Sequence, residues 1–225
     1  MINIAIDGPA GAGKSTIAKL LSKKLGIIYL DTGAMYRTVA LKAVKSGIDT
    51  KDADALGEMV KDINIEIKFD QDGQRIFLDN EDVTDQIRTK EISIASSDVA
   101  VVPAVRLKMV ELQRRIASQN SVVMDGRDIG TYVLPNADFK FFLTASLEER
   151  ANRRFSEMRE KNPDITFEEV YKDIEYRDKN DSSRQFAPLK KAEDAIEIDT
   201  TKMTIDEVVN RITGVIGNEL LRQDR

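Results

Sequence analysis

A glycine-rich octapeptide near the N-terminus constrains the fold of this chain more than any other segment. Gly8-Pro9-Ala10-Gly11-Ala12-Gly13-Lys14-Ser15 matches the pattern G-x-x-x-x-G-K-[ST] at each fixed position. The octapeptide follows an apolar run at residues 2–7, and it leads into residues 14–25, whose apolar side chains repeat at helical spacing. A strand that turns through glycines into a helix is the setting that this pattern requires. The sequence therefore predicts a phosphate-binding loop at the start of an α/β domain.

The residue types in this loop indicate how it would hold a nucleoside triphosphate and Mg²⁺. Glycines let the backbone N–H groups face the phosphates, and the N-terminus of the following helix adds partial positive charge. We expect Lys14 to bridge the β- and γ-phosphates and the Ser15 hydroxyl to bind Mg²⁺. The predicted donor-binding residues are Gly8, Pro9, Ala10, Gly11, Ala12, Gly13, Lys14, Ser15 and Thr16. The alternative is a glycine-rich turn that binds nothing.

The rest of the chain alternates short apolar runs with helical segments. The runs that we predict to be strands cover residues 2–7, 27–30, 121–125, 139–143 and 195–198. Helical spacing of apolar residues is evident in segments such as 35–44 and 103–119, the latter beginning with a favourably placed Pro103. Apolar strands that alternate with helices indicate a parallel sheet covered on both faces. The sequence thus predicts an α/β fold of the P-loop NTPase type, with five parallel strands flanked by helices.

Residues 62–90 have a different pattern. Apolar residues there alternate with polar ones, as in a half-exposed strand: Ile63, Ile65, Ile67 and Phe69. Asp72-Gly73 predicts a turn, and residues 75–79 would form the partner strand. We therefore expect a small antiparallel insertion in one domain that spans residues 1–225, with its core at 1–61 and 91–225.

Composition excludes several classes of enzyme. The chain has no Cys and no His, so thiol nucleophiles, disulfides, cysteine metal sites and Ser-His-Asp hydrolysis are excluded. Phosphoryl transfer suits the remaining carboxylates, lysines, arginines and hydroxyls, because it requires mainly positioning and neutralisation of charge. A net charge of −5 disfavours nucleic acid and anionic membranes as partners. With no signal peptide or membrane span evident, we expect a cytoplasmic protein.

Other nucleotide-binding classes fit less well. A GTPase needs an Asn-Lys-x-Asp motif, whereas Asp178-Lys179-Asn180-Asp181 has those residues in another order. Motor and transporter ATPases are normally larger or repeated. A small kinase remains, with a nucleotide-gated binding module as the alternative. Since the core accounts for the apolar stripes, we expect a monomer.

Several arginines are placed where surface pairing explains them poorly. Arg150 and Arg154 lie four residues apart on one helix, where like charges repel. Further along, Arg177 and Arg184 flank a polar stretch. Each arginine taken singly could be surface charge. As a set beside a phosphate loop, they predict neutralisation of a transferring phosphate.

Several further segments have specific compositions. They are Asp31-Thr32-Gly33-Ala34-Met35-Tyr36-Arg37, Arg88-Thr89, Ser97, Val102-Pro103-Ala104-Val105-Arg106, Asp125-Gly126-Arg127-Asp128-Ile129-Gly130-Thr131, Glu149-Arg150-Ala151-x-Arg153-Arg154 and Arg177-Asp178…Asp181…Arg184…Ala187-Pro188-Leu189. With these segments and the phosphate loop, the chain resembles the nucleoside monophosphate kinases, and specifically the bacterial cytidylate kinases, over almost its whole length. The insertion at 62–90 looks like the extra subdomain that separates this family from adenylate kinases.

The resemblance implies a core sheet, a monophosphate-binding insertion and a helical lid at about 150–185. It implies ATP with Mg²⁺ as the donor system and CMP or dCMP as the acceptor. The implied acceptor-binding residues are Thr32, Gly33, Arg37, Ser97, Arg106, Arg127, Asp128, Arg177, Asp181 and Arg184. The implied catalytic residues are Lys14, Arg127, Arg150, Arg154, Arg177 and Arg184. Thr32, Arg37 and Arg127 would hold the acceptor phosphate, and Arg177, Asp181 and Arg184 would contact the ribose or the transferring phosphates.

By the same resemblance, Ser97, Arg106 and Asp128 would recognise cytosine. A carboxylate at 128 can accept a hydrogen bond from the exocyclic amine and would repel the uracil carbonyl. The alternative for Asp128 is a structural ion pair with an arginine. Asp125 has two open interpretations, an outer partner of Mg²⁺ or a turn-forming residue before Gly126. No general base is required, because the phosphate of the acceptor is already anionic.

Overall fold

Five parallel strands form the central sheet, as predicted. The computed structural model describes residues 1–70, 73–160 and 162–223. The strands follow the order β2-β6-β1-β7-β8 across the sheet. Their bounds are Asn3–Asp7 for β1, Ile28–Asp31 for β2, Val122–Gly126 for β6, Phe139–Thr144 for β7 and Ile196–Asp199 for β8. The predicted fold class is confirmed.

The strand order brings acidic residues together at one edge of the sheet. In the pairing of β1 with β6, Asp7 lies opposite Gly126, and in the pairing of β2 with β6, Asp31 lies opposite Asp125. Strands β1 and β6 are buried on both faces, which is why their sequences are almost wholly apolar until this edge. In open α/β sheets ligands bind outside the carboxyl ends of the strands. The candidate site is therefore expected at this edge.

Helices cover both faces of the sheet. Their bounds are Lys14–Leu25 for α1, Thr32–Lys45 for α2, Ala53–Met59 for α3, Lys90–Val99 for α4, Pro103–Ala117 for α5, Leu147–Arg159 for α6, Phe167–Ser183 for α7 and Ile205–Gln223 for α8. One buried cluster unites α1 and α8 on one face, and another unites α2, α4 and α5 on the other. Among the described helices, none has an apolar stretch that could cross a bilayer.

Sequence analysis missed helix α3. Its signal is present, because Asp52 accepts a hydrogen bond from the backbone N–H of Ala55 at 3.0 Å and so caps the helix. The helix is short and buries Leu56 alone among its described residues, so its apolar periodicity is too weak to detect.

The predicted antiparallel insertion consists of β3 at Ile65–Asp70, β4 at Gly73–Leu78 and β5 at Glu81–Asp82. The predicted turn includes Asp72, which lies outside the described residues. Buried side chains of β3 and β4 belong to the same apolar cluster as α2. The Gln74 amide also accepts a hydrogen bond from the backbone N–H of Asp31, at 2.8 Å. This small sheet therefore contacts the last residue of β2, at the carboxyl end of the strand.

Helices α6 and α7 form a small layer of their own over the phosphate loop. They share an apolar cluster that includes Ala151, Val170 and Ile174, and Ala10 of the loop packs into it. The predicted lid at 150–185 coincides with this pair of helices, apart from Lys161, which lies outside the described residues. A separate small cluster suits a segment that moves against the core.

Candidate active site

The loop between β1 and α1 has a backbone that only glycine can follow at its first position. Gly8 has φ of +148°, and a Cβ built there would lie 1.9 Å from the carbonyl oxygen of Leu143. Gly13 has φ of +83° and directly precedes helix α1. Both conformations favour glycine, which agrees with the glycines of the octapeptide, and the binding of phosphate by this loop stays a prediction.

The N-terminus of α1 is open to an anion. No side chain among the described residues caps it, and its first turn contains no acidic residue. The first N–H groups of a helix have no carbonyl within the helix to which they can donate. Together with the partial positive charge of the helix end, they suit a phosphate.

Lys14 is a buried amine that lies among one guanidinium group and three carboxylates. Its Nζ donates to the carbonyl oxygen of Pro9 at 2.6 Å, and the residue is 5% exposed. Burial, followed by the positive charge of Arg127, lowers the pKa of Lys14 to about 7, against the opposing effects of Asp125, Asp181 and Asp7. An anionic ligand would reverse this shift, because a nearby negative charge favours the ammonium form.

Ser15 and Asp125 form a pair of oxygen ligands beside the loop. The Ser15 hydroxyl donates to Oδ2 of Asp125 at 2.7 Å, and the Tyr29 hydroxyl donates to Oδ1 at 2.9 Å. Burial and the charge of Asp31 raise the pKa of Asp125. Hydroxyl and carboxylate oxygens are the ligands that Mg²⁺ prefers. The pair fits a Mg²⁺ ion, and of the two interpretations of Asp125 it favours the partner of a metal.

On the acceptor side, Asp31 organises the start of α2. Its Oδ1 accepts a hydrogen bond from the backbone N–H of Ala34 at 2.8 Å, and its Oδ2 pairs with Arg37 at 2.9 Å. Gly33 lies against this pair, since a Cβ there would come within 3.1 Å of Nη1 of Arg37. The Thr32 hydroxyl donates to the backbone carbonyl oxygen of Asp125 at 2.6 Å. Three predicted acceptor-binding residues therefore meet beside the phosphate loop.

Arg177 lies among other guanidinium groups. Burial, followed by the positive charges of Arg127, Arg154 and Arg37, lowers the pKa of Arg177 to about 10, against the opposing charge of Asp181. Its Nη2 donates to the carbonyl oxygen of Ser93 at 2.6 Å. Arg154 forms its ion pair with Glu157 at the surface. Because nearby positive charge disfavours the charged form of Arg177, a negatively charged ligand beside it would stabilise that form.

A buried ion network extends from this cluster. Arg127 pairs with Asp181 at 2.6 Å, and Arg184 lies 3.5 Å from Asp181 and 3.4 Å from Asp128. Asp128 also accepts a hydrogen bond from Arg106, which is 1% exposed. The network joins β6, α5 and the lid through charges that are shielded from water. Of the two interpretations of Asp128, the ion pair with an arginine is therefore present, and its role in recognising cytosine stays a prediction.

Residues 4–218 match the family model for cytidylate kinase. The cytidylate kinase of Caldicellulosiruptor saccharolyticus is 51% identical over 223 residues, which cover 97% of this chain and 99% of that protein. The cytidylate kinase of Clostridioides difficile is 53% identical over 213 residues, covering 95% and 97%. The chain belongs to the cytidylate kinase family. The family predicted from the sequence, and with it an enzyme of the nucleoside monophosphate kinase class, is confirmed.

A structural comparison supports the fold of this cytidylate kinase family member. An uncharacterized protein from Eubacterium ventriosum aligns with a TM-score of 0.52 at 16% identity, covering 96% of this chain and 99% of that chain. At that identity the likeness concerns the fold alone.

In this member of the cytidylate kinase family, Arg150 of α6 contacts the backbone of the phosphate loop. Its Nη1 donates to the carbonyl oxygen of Ala10 at 2.9 Å and pairs with Asp178 at 2.6 Å, while its Nε donates to Ala145. In this arrangement Arg150 ties the lid to the loop. Its predicted role in catalysis stays a prediction.

Two residues that contact Arg106 and Ser97 were absent from the predicted set. Tyr36 lies with its ring 5.4 Å from the Arg106 guanidinium, and burial raises the pKa of its hydroxyl to about 12. Asn180 donates to the hydroxyl of Ser97 at 3.3 Å. Both lie inside segments that carry the family resemblance, which is the signal that could have identified them.

Proposed function

We propose that the chain phosphorylates CMP and dCMP with ATP by direct in-line transfer. The observation that carries this proposal is a group of cations whose charges interact, Lys14, Arg127, Arg177 and Arg37. Lys14 lies on the predicted phosphate loop, with its Nζ on the Pro9 carbonyl oxygen, and Arg37 lies on Asp31 at the start of α2, among the predicted acceptor-binding residues. Phosphoryl transfer needs such a group, because charge on the donor, the transferring group and the acceptor must be neutralised together. Family membership supports CMP as the acceptor.

On the donor side, the loop and the start of α1 bind the triphosphate through backbone N–H groups. Lys14 regains its full positive charge next to the β- and γ-phosphates and stabilises the charge that develops in the transition state. Ser15 and Asp125 would hold Mg²⁺, which supplies charge neutralisation on the phosphate oxygens.

On the acceptor side, Thr32, Arg37 and Arg127 bind the phosphate of CMP and align one of its oxygens with the γ-phosphorus. That oxygen is already anionic, so no side chain has to remove a proton. Alignment alone can contribute a large part of the rate acceleration, because it replaces a bimolecular encounter.

Cytosine lies against the buried network of Arg106, Asp128 and Ser97. Asp128 accepts a hydrogen bond from the exocyclic amine, while Arg106 and Ser97 can donate to N3 and O2. The ribose and the transferring phosphates contact Arg177, Asp181 and Arg184. Because both Asp128 oxygens already face arginines, the base enters a network that is charged and preorganised.

A panel of acceptors tests this function. ADP production from ATP is measured with CMP, dCMP, UMP, AMP and GMP. We expect kcat/KM for CMP and dCMP to exceed that for the others by roughly tenfold or more, since a site that hydrogen-bonds one base leaves its polar groups unpaired with another. Preference for a different acceptor would refute the substrate assignment. ADP production that does not depend on an acceptor would refute the transfer reaction.

We further propose that the chain works as a monomer in the cytoplasm, with neither nucleic acid nor membrane as a partner. The net charge of −5 supports the absence of polyanionic partners. Sedimentation of the purified chain at its single-chain mass of 25.3 kDa would support the monomer, and a doubled mass would contradict it.

Binding of both nucleotides is expected to hold the lid closed. Without them, α7 contacts α4 through individual polar bonds, such as Tyr176 to Asp98 at 2.6 Å and Arg177 to Ser93. Repulsion among the lid arginines and Arg127 opposes closure until phosphate is present. Hydrogen exchange in residues 150–185 should therefore slow by roughly tenfold when CMP and a non-hydrolysable ATP analogue are both bound. Helix α8, none of whose residues is assigned to a nucleotide site, serves as an internal control, and equal exchange in 150–185 with and without ligands would contradict a lid.

A further inference from the structure

The turn that follows Asp128 is attached to β1 by a buried carboxylate. Residues Ile129–Val133 form one π-helical turn. Asp7, the last residue of β1, accepts a hydrogen bond from the backbone N–H of Ile129 at 2.8 Å and from that of Gly130 at 2.7 Å. Each carboxylate oxygen thus binds one N–H group, and Asp7 is 4% exposed. A carboxylate that accepts two backbone hydrogen bonds fixes the direction of the segment that donates them.

A second side chain holds the other end of the turn. Arg114 of α5 donates from Nε to the carbonyl oxygen of Val133 at 2.9 Å and from Nη2 to that of Tyr132 at 2.7 Å. Its guanidinium also lies over the Tyr132 ring, 5.6 Å from the centroid. The carbonyl oxygen of Asp128 in turn accepts hydrogen bonds from the N–H groups of Tyr132 and Val133, at 2.9 and 3.0 Å. The backbone of Asp128 is therefore part of the turn that Asp7 and Arg114 hold.

The charge on Asp7 is unfavourable where it lies. Burial and the negative charge of Asp128 raise the pKa of Asp7 to about 6, against the hydrogen bonds from Gly130 and Ile129 and the charge of Lys14. A buried carboxylate beside a second carboxylate costs stability unless hydrogen bonds compensate for the water that it has lost. None of the roles derived above for the phosphates or the base uses Asp7.

We propose that Asp7 and Arg114 are positioning residues that hold the π turn and so set the direction in which Asp128 presents its carboxylate to the base. This inference rests on the proposed role of Asp128 in recognising cytosine. Arg106 comes from α5 and Arg184 from the lid end of α7, so the two cations approach the Asp128 side chain from different elements. A backbone fixed from β1 and α5 prevents the carboxylate from following the lid when the lid moves. Displacements of about 1 Å are enough to lower rates substantially.

The test uses Asp7→Asn and Arg114→Gln, each with a matched control. Asp7→Asn replaces one acceptor oxygen by an NH₂ group that faces a backbone N–H. Its control is Asp138→Asn, because Asp138 also accepts a backbone N–H bond from β1, at Asn3, but at the exposed far end of the strand. The control for Arg114→Gln is Arg115→Gln, which removes a charge from the next, exposed position of α5. Arg114→Lys keeps the positive charge but loses the planar guanidinium that donates to two carbonyl oxygens at once.

Two kinds of measurement are made on each variant. The first is kcat/KM for CMP and for UMP, with KM for ATP. For Asp7→Asn we expect the CMP/UMP ratio to fall about tenfold, with KM for ATP within about twofold of the parent. Arg114→Gln should lower the CMP/UMP ratio by a smaller factor, because Arg114 is exposed. Arg114→Lys should lower the ratio less than Arg114→Gln does. The second is hydrogen exchange at the amides of Ile129 and Gly130, which should accelerate about tenfold in Asp7→Asn. Both controls should match the parent.

The outcomes separate this inference from the proposed function. Equal losses on CMP and UMP would show a merely structural role for Asp7 and overturn the inference. The inference would also be overturned if Asp7→Asn raised KM for ATP while Arg114→Gln left all the kinetic constants unchanged, because Asp7 would then act on the phosphate loop. Unchanged exchange at Ile129 and Gly130 would overturn it whatever the substrate is. If the parent enzyme does not prefer CMP, the proposed function fails, and the exchange measurement still decides whether Asp7 holds the turn.

Discussion

Lys14→Ala is expected to lower kcat/KM for phosphoryl transfer by about a thousandfold or more, with the fold intact. The ammonium group lies where negative charge grows on the transferring phosphate, and loss of such a stabilising charge costs several kcal/mol of transition-state free energy. Measurement of kcat/KM with CMP and ATP, beside circular dichroism, checks both parts of this expectation.

The structure indicates why the fold should survive. Sequence analysis expected Lys14 to lie on phosphate, and in the structure the side chain is buried with its Nζ on the Pro9 carbonyl oxygen. Since burial and Arg127 lower the pKa of Lys14 to about 7, the charged amine destabilises the unliganded folded state at neutral pH and below. Its removal should leave the melting temperature unchanged or slightly raised.

A control variant on the same helix is Lys24→Ala, because Lys24 is exposed in the last turn of α1, far from the loop. We expect this variant to retain the activity of the parent. If Lys14→Ala were within tenfold of the parent while its circular dichroism was unchanged, the assignment of the phosphate loop would be wrong.

Asp128→Asn is expected to lower the CMP/UMP ratio of kcat/KM by roughly ten- to a hundredfold. In the closed site the cytosine amine loses its water and needs an acceptor, which the carboxylate supplies. The amide of asparagine can instead donate to the carbonyl that uracil has at the same position. The same substitution should therefore lower kcat/KM for CMP and raise kcat/KM for UMP.

The choice of asparagine follows from the ion network. Asp128 pairs with Arg106, which is 1% exposed, and with Arg184. Truncation to alanine would leave a buried guanidinium without a partner, at a cost of about 3–5 kcal/mol of stability. Asparagine retains one acceptor and nearly the same volume. A ratio of two substrates measured on one preparation is also unaffected by any loss of folded protein.

Asp181→Asn is the matched control, because Asp181 is a second buried carboxylate in the same network and pairs with Arg127 and Arg184. Its proposed contacts are common to CMP and UMP, so both substrates should lose activity equally. If Asp128→Asn also lowered the two substrates together, recognition of cytosine would lie with Ser97, Arg106 or backbone groups.

The amino-acid sequence by itself determined the class of fold and the position of the glycine-rich loop. The positive φ of Gly13 is a local backbone conformation, so a local pattern suffices to predict it, whereas Gly8 is also required by the carbonyl oxygen of Leu143 on the neighbouring strand. The apolar strands and the alternation in residues 63–69 are equally local, because the period of the side chains follows from secondary structure. Helix α3 escaped prediction for the converse reason, since it buries too few apolar residues to produce a period.

The tertiary structure alone decided which charged side chains meet. Asp7 and Ile129 are 122 residues apart, and they come into contact because β6 lies beside β1 in the sheet. Asp125 lies against Ser15 for the same reason, which favours one of its two interpretations. The sequence predicted that Arg150 neutralises phosphate but did not show that Ala10 and Asp178 contact it. Strand order and the packing of the lid determine these pairs, and neither leaves a periodic signal in the chain, because such contacts depend on distance in space and not on separation in sequence.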